Sequence, residues 1–221
     1  MPRARSFSAQ DNHPDFRDLP LEPVAANDAV WLQDSATNRM VIHSVATVDE
    51  ITIDAFRAHW IERVSAADGG ERYARFRRRI VYAGGKPHWQ DDPEHALERH
   101  IVELDDPALS TREGLQEYIG RIASEPLPMD RSPWEILIVR QFGDGRSAII
   151  TRMHHVLGDG IALVPVMFSL LDVDEEAAGD PAKVQVKTRG TVGKPWKIAA
   201  AAAVVGGPIL ANQAVRAADA S

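Results

Sequence analysis

Two β-prone runs joined by a glycine-flanked turn constrain this chain more than any other stretch. Trp134-Glu135-Ile136-Leu137-Ile138-Val139 and Ser147-Ala148-Ile149-Ile150-Thr151 are dense in apolar and β-branched residues, a strand signature. Between them lies Gly143-Asp144-Gly145, where Asp-Gly suits the positive φ of a hairpin turn. The return strand delivers His154-His155, followed by Val156-Leu157-Gly158-Asp159-Gly160 and an apolar segment from Ile161 to Leu171. Successive strand side chains point to opposite faces. Two histidines on that strand therefore face apart, one toward packed structure and one toward a cleft. The alternation predicts one structural and one chemical histidine without ordering them.

The residue inventory narrows the chemistry. Histidine is the usual general base near neutral pH, because its ordinary pKa of about 6.5 is close to the working range. The chain has no cysteine, which removes a thiol nucleophile and thiolate metal ligands. It has no Gly-x-Ser-x-Gly elbow either, so nothing marks a hydrolase serine. Metal binding by the pair is disfavoured, since adjacent strand residues do not converge and zinc helices use i, i+4 spacing. Two readings stay open on the residues alone: a histidine that deprotonates a substrate hydroxyl, or a structural pair with Asp159 capping a helix.

The rest of the chain supplies a frame. The polar, proline-containing residues 1–22 are expected to be a disordered lead-in. Asn27 or Asp28 is expected to cap a short helix through Trp31-Leu32. Met40 to Val48 reads as a strand. Thr52 caps a helix with Phe56, Trp60 and Val64 on one face, ending at Gly69-Gly70. His100 to Leu104 is another strand. A helix over Thr111 to Ser124 carries Leu115, Ile119 and Ile122, and is stopped by Pro126 and Pro128. Pro165 is expected to delay or kink a buried helix after the histidines. Residues 23–172 form the main unit, 173–193 a linker, and 194–221 an apolar helical tail or the start of a crossover, too short and broken to span a bilayer.

At 221 residues with 44% apolar and 26% charged residues, the chain has ordinary globular composition. A net charge of −7 argues against a general nucleic-acid binder. The N-terminus lacks an apolar signal core, so a cytoplasmic location is expected.

The motifs combine into a resemblance. His154-His155-x-x-x-Asp159-Gly160 resembles the signature of acyltransferases related to chloramphenicol acetyltransferase and peptide-synthetase condensation domains. Asp130-Arg131-Ser132-Pro133-Trp134-Glu135, Pro87-x-Trp89-x-x-Asp92-Pro93 with Leu97-x-x-His100, and Asn27-Asp28-Ala29-x-Trp31-Leu32 with Met40-x-x-His43 are similar, in order, to bacterial wax ester synthase/diacylglycerol acyltransferases. The resemblance covers about Pro23 to Asp172. Ser132-Pro133-Trp134-Glu135 is shorter by about two residues than the family's version of that motif.

The resemblance implies a mixed α/β fold, a chloramphenicol acetyltransferase-like two-layer lobe that is one of the family's two. It implies transfer of a fatty acyl group from coenzyme A to a long-chain alcohol or diacylglycerol, with acyl-CoA as substrate and no separate cofactor or metal. His155 matches the general base and His154 a structural neighbour. Asp159 matches the residue that holds the motif loop by pairing with an arginine, and Gly158 and Gly160 the turn. Asp130, Arg131, Pro133 and Trp134 match substrate-channel lining. On its residues alone, the cluster Arg72, Arg75, Arg77, Arg78 and Arg79 suits nucleic acid, anionic lipid, coenzyme A phosphates or, most often, a solvated face. With a second lobe expected elsewhere, the alternatives are a binding module, half of a split enzyme, or a remnant. A peripheral membrane or lipid-droplet surface, self-association and a separate second lobe are the further partners implied; nucleic acid is not. Condensation or acetyl-transfer chemistry on the same fold is the third reading.

Overall fold

A computed structural model of the chain describes residues 19–66 and 70–158. It also describes Leu163, Val166, Met167 and Leu170, and the backbone of 185–188, 196–199 and 205–206. Most of the lead-in, Gly69, Asp159, Gly160 and Pro165 lie outside these residues, as does most of the expected linker and tail.

The hairpin forms as its sequence dictates. Strand β6 (Trp134–Phe142) and strand β7 (Arg146–His154) pair antiparallel, with a register irregularity between Val139 and Phe142. Gly143 and Gly145 adopt φ of 58° and 73° in the turn, the left-handed region that favours glycine. On its other edge β7 pairs antiparallel with β2 (Val41–Asp49), from Val41 opposite His154 to Asp49 opposite Arg146. Strand β5 (Ile101–Glu103) runs parallel to β6. Parallel neighbours need a crossover, and helix α3 (Arg112–Ile122) lies within it.

Alternation along the strands sends side chains to two cores. Ile136, Ile138 and Met153 join Phe56, Trp60 and Val64, which come from helix α2 (Ile53–Trp60) and the π-helical turn Ile61–Ser65. Leu137, Val139 and Ile150 pack with Leu115 and Ile122 of α3. The sheet is thus covered on both faces, and β7 is buried from Ser147 through His154. Both helices start where the sequence places their caps. Thr52 Oγ1 accepts from Ala55 N at 3.3 Å, and Thr111 Oγ1 accepts from Gly114 N at 3.1 Å.

A separate three-stranded sheet joins β1 (Glu22–Pro23), β4 (Lys86–Asp91) and β3 (Arg78–Ala83) in that order. The short helix α1 (Ala26–Ala29) follows β1 and runs into a 3-10 turn, Val30–Leu32. Neither Asn27 nor Asp28 caps it: the helix starts at Ala26, so both lie inside its first turn, and Ala25 at the cap makes no side-chain bond, while the Asp28 carboxylate pairs with Arg75.

The tail departs from expectation. Within the expected linker, β8 (Gln185–Thr188) is a strand. Within the expected helical tail, β9 (Trp196–Ala199) and β10 (Val205–Gly206) are strands as well. Strand β9 pairs with β8 and with β2, and β10 pairs with β2. An open edge of β2 offers unpaired N–H and C=O groups that template such pairing. No helix among the described residues is long and apolar enough to cross a membrane.

Candidate active site

The site is built at the end of β7. His154 is the last strand residue and His155 the first of a 3-10 turn, His155–Leu157. The pair thus straddles a strand end instead of lying on one strand, yet the two side chains still part. His154 is 1% exposed, and its Nδ1 accepts from Val156 N at 3.1 Å. That bond places the ring proton on Nε2, which is buried without a hydrogen-bond partner among the described residues. Burial pushes the His154 pKa down to about 4, and neighbouring His155 adds to the shift while Asp34 opposes it. His154 is therefore neutral near pH 7 and acts as a backbone cap.

His155 is half-buried. Its ring stacks on Trp31 with centroids 4.4 Å apart and planes 20° apart. Its backbone N–H donates to Met40 O at 2.8 Å, and Met40 N–H donates to the Asp34 carboxylate at 3.0 Å. The histidine is thereby tied to the segment entering β2. Gly158 closes the turn through N–H to His155 O at 3.1 Å. Its φ of 166° is extended backbone open to any residue, so the turn makes no special demand for glycine there, contrary to expectation. Asp159 and Gly160 lie outside the described residues.

Beneath this end of the sheet is a polar row that the sequence reading missed. Arg152 is only 3% exposed. It is ion-paired to Glu135, donates to the carbonyls of Ile122 and Glu125 at 3.0 and 2.5 Å, and donates to His43 Nε2 at 3.3 Å. Desolvation, with Arg152 second, pushes the His43 pKa down to about 4. Period-2 alternation places Arg152 and His154 on one face of β7, a signal present in the sequence; its partners are not.

The expected channel residues separate. Trp134 is 1% exposed, its ring stacked between Trp60 and His100 at 4.4 Å from each. Its indole N–H donates to Phe76 O at 2.9 Å. The ring is core and does not line a channel, because a satisfied indole in a three-ring stack fills its own space. Pro133 is buried beside it and its carbonyl accepts from His154 N at 3.0 Å, a backbone role. Asp130 is exposed and pairs with Arg99 at 3.5 Å, and Arg131 is half-buried.

The arginine cluster is largely engaged. Arg75 pairs with Asp28 at 2.8 Å, and Arg78 pairs with both Asp91 and Glu22. Arg77 donates to Gly70 O, and Arg79 donates to Gln90 Oε1. Among the described residues no group of three or more histidine or acidic side chains is arranged to hold a metal.

The mixed sheet and its covering helices are similar in fold to two solved structures. The wax ester synthase/diacylglycerol acyltransferase from Marinobacter aquaeolei VT8 superposes with a TM-score of 0.54 at 21% identity, covering 69% of this chain and 38% of that one. A starter condensation domain of rhizomide synthetase superposes at 0.52 and 14% identity, covering 68% and 36%. The chain belongs to the wax ester synthase/diacylglycerol acyltransferase catalytic-domain family, whose model matches residues 24–218. Curated relatives include a putative diacylglycerol O-acyltransferase of Mycobacterium bovis, 33% identical over 88 residues, 40% of this chain and 19% of the relative. Another, from Mycobacterium tuberculosis, is 33% identical over 123 residues, 54% of this chain and 23% of the relative. The matches therefore span well under half the length of these relatives.

Proposed function

We propose that this chain supplies the histidine-bearing lobe of an acyl-CoA-dependent O-acyltransferase, with His155 as general base. The observation that carries the reading is the division of labour at the end of β7. His154 is neutral, buried and bonded to backbone, whereas the adjoining His155 ring is half-exposed and held by an aromatic stack.

In this reading acyl-CoA enters as a substrate and no further cofactor is required. His155 removes the hydroxyl proton of a long-chain alcohol or diacylglycerol as its oxygen attacks the thioester carbonyl. The tetrahedral intermediate expels the thiolate, the imidazolium returns the proton to sulfur, and ester and free coenzyme A leave. Holding both substrates against the histidine supplies the remaining acceleration. Asp159 steadies the loop after the turn, and Asp130 and Arg131, at the surface near β6, belong to the approach for substrate.

The test is release of free coenzyme A from palmitoyl-CoA with hexadecanol or diacylglycerol, run beside His155→Ala. Turnover that the substitution abolishes supports the reading. Turnover only on adding a separately supplied second lobe makes this chain half of an enzyme. A folded chain inactive in both settings defeats the catalytic reading in favour of a binding module or remnant.

A further inference from the structure

We propose that Arg75 is a positioning residue for His155, clamping the turn that carries the imidazole to the helix that delivers Trp31 onto it. The proposal rests on His155 as the base, and Arg75 itself touches neither the imidazole nor a reacting atom.

The clamp reaches two elements from one guanidinium. Nη2 of Arg75 pairs with Asp28 of α1 at 2.8 Å. Nη1 donates to the carbonyl of Leu157, the last residue of the histidine turn, at 3.3 Å. Three residues beyond Asp28, Trp31 stacks on His155. A planar guanidinium holds two acceptors in a fixed relation, which a lysine ammonium does not.

The anchor of Arg75 is firm on its own side. Its carbonyl accepts from Ser132 Oγ at 2.9 Å, and its guanidinium carbon lies 5.4 Å from the ring centre of Trp89, itself 1% exposed. Beyond the clamp lies a cavity of about 450 Å³, bordered by Tyr73, Arg75, Phe76, Leu157, Leu163 and Val166. Leu157 of the histidine turn borders that cavity, and the Arg75 bond holds its carbonyl.

The ion pair by itself adds little stability. The Arg75 and Asp28 side chains are 38% and 22% exposed, and such part-exposed pairs contribute little to folding. What the clamp supplies is the relative placement of Trp31 and His155.

The experiment reads that placement directly. In the full chain, a stacked indole shifts the His155 ring protons upfield in the NMR spectrum, with the signals assigned by their loss in His155→Ala. Arg75→Met is expected to abolish the upfield shift while core methyl signals such as those of Ile136 and Ile150 stay in place. Arg75→Lys is expected to retain part of it, and Arg72→Met all of it. A folded Arg75→Met that keeps the full shift overturns the proposal. If Arg75→Met does not fold, Asp28→Asn and Arg75→Lys take its place, and a full shift in both overturns it equally. Where the chain turns over, Arg75→Met is expected to lower kcat about 10- to 100-fold with KM within about 2-fold. A chain that never turns over defeats the catalytic reading while leaving the ring-shift result to decide the clamp.

Discussion

Three buried histidines should make this fold lose stability on mild acidification, above the carboxylate range. His43, His100 and His154 are 8%, 0% and 1% exposed, and desolvation by burial is the leading cause that pushes each pKa from 6.5 down to about 4. In the unfolded chain they regain ordinary values, so between pH 6.5 and 4 the unfolded state binds more protons. Stability is then fully present above about pH 6.5 and falls as pH drops toward 4. At pH 5 each histidine contributes a loss of about 2 kcal/mol, so about 6 kcal/mol in all, a large part of the usual 5–15 kcal/mol. Unfolding at that pH takes up between two and three protons, a slope of roughly 3–4 kcal/mol per pH unit. His95, also lowered chiefly by desolvation, acts in the same direction. Urea unfolding monitored from pH 7.5 to 4.5 measures the curve, and His100→Gln should remove about one proton from the slope at pH 5. A stability that changes by less than about 1 kcal/mol between pH 7 and pH 5 would refute the reasoning.

Two other outcomes are expected. Arg152→Met leaves Glu135 without its cation and two carbonyls at the end of α3 without their donor. It should cost about 3–5 kcal/mol in urea denaturation, with Arg152→Lys intermediate. Along α3, Gly114→Ala and Gly120→Ala should diverge in sign when compared by thermal melting. A Cβ at Gly114 would meet Ala108 O at 1.9 Å, whereas one at Gly120 meets nothing within 4 Å. Gly120→Ala should therefore stabilise by up to about 1 kcal/mol, and Gly114→Ala should destabilise despite the same helix propensity.

What the sequence disclosed was local. Thr52 and Thr111 announce their helices because a cap and its amide lie within one turn, and Asp144-Gly145 announces the hairpin for the same reason. Strand alternation did not decide the histidine pair, because His154 ends β7 and His155 already belongs to the 3-10 turn. What stayed hidden depends on partners distant in the chain. Arg152 went unmarked because its acceptors lie at and just beyond the end of α3 and in β6. Asn27 or Asp28 read as a helix cap because the sequence does not show that the helix already starts at Ala26. Trp134 was expected at a channel, since a motif gives no hint that Trp60 and His100 will enclose it. The strands at 185–188, 196–199 and 205–206 escaped because they pair with an edge of β2 that no local pattern reveals.

The stack of Trp60, Trp134 and His100 has an optical consequence. Its rings come from α2, from β6 and from the residue that leads into β5, so the stack exists only once those elements have docked. Two indoles 4.4 Å apart with planes 18° apart should give the folded chain a near-ultraviolet circular-dichroism band. A collapsed state that keeps its helices and strands would lose that band. The band gives the chain a built-in gauge of native packing that needs no substrate.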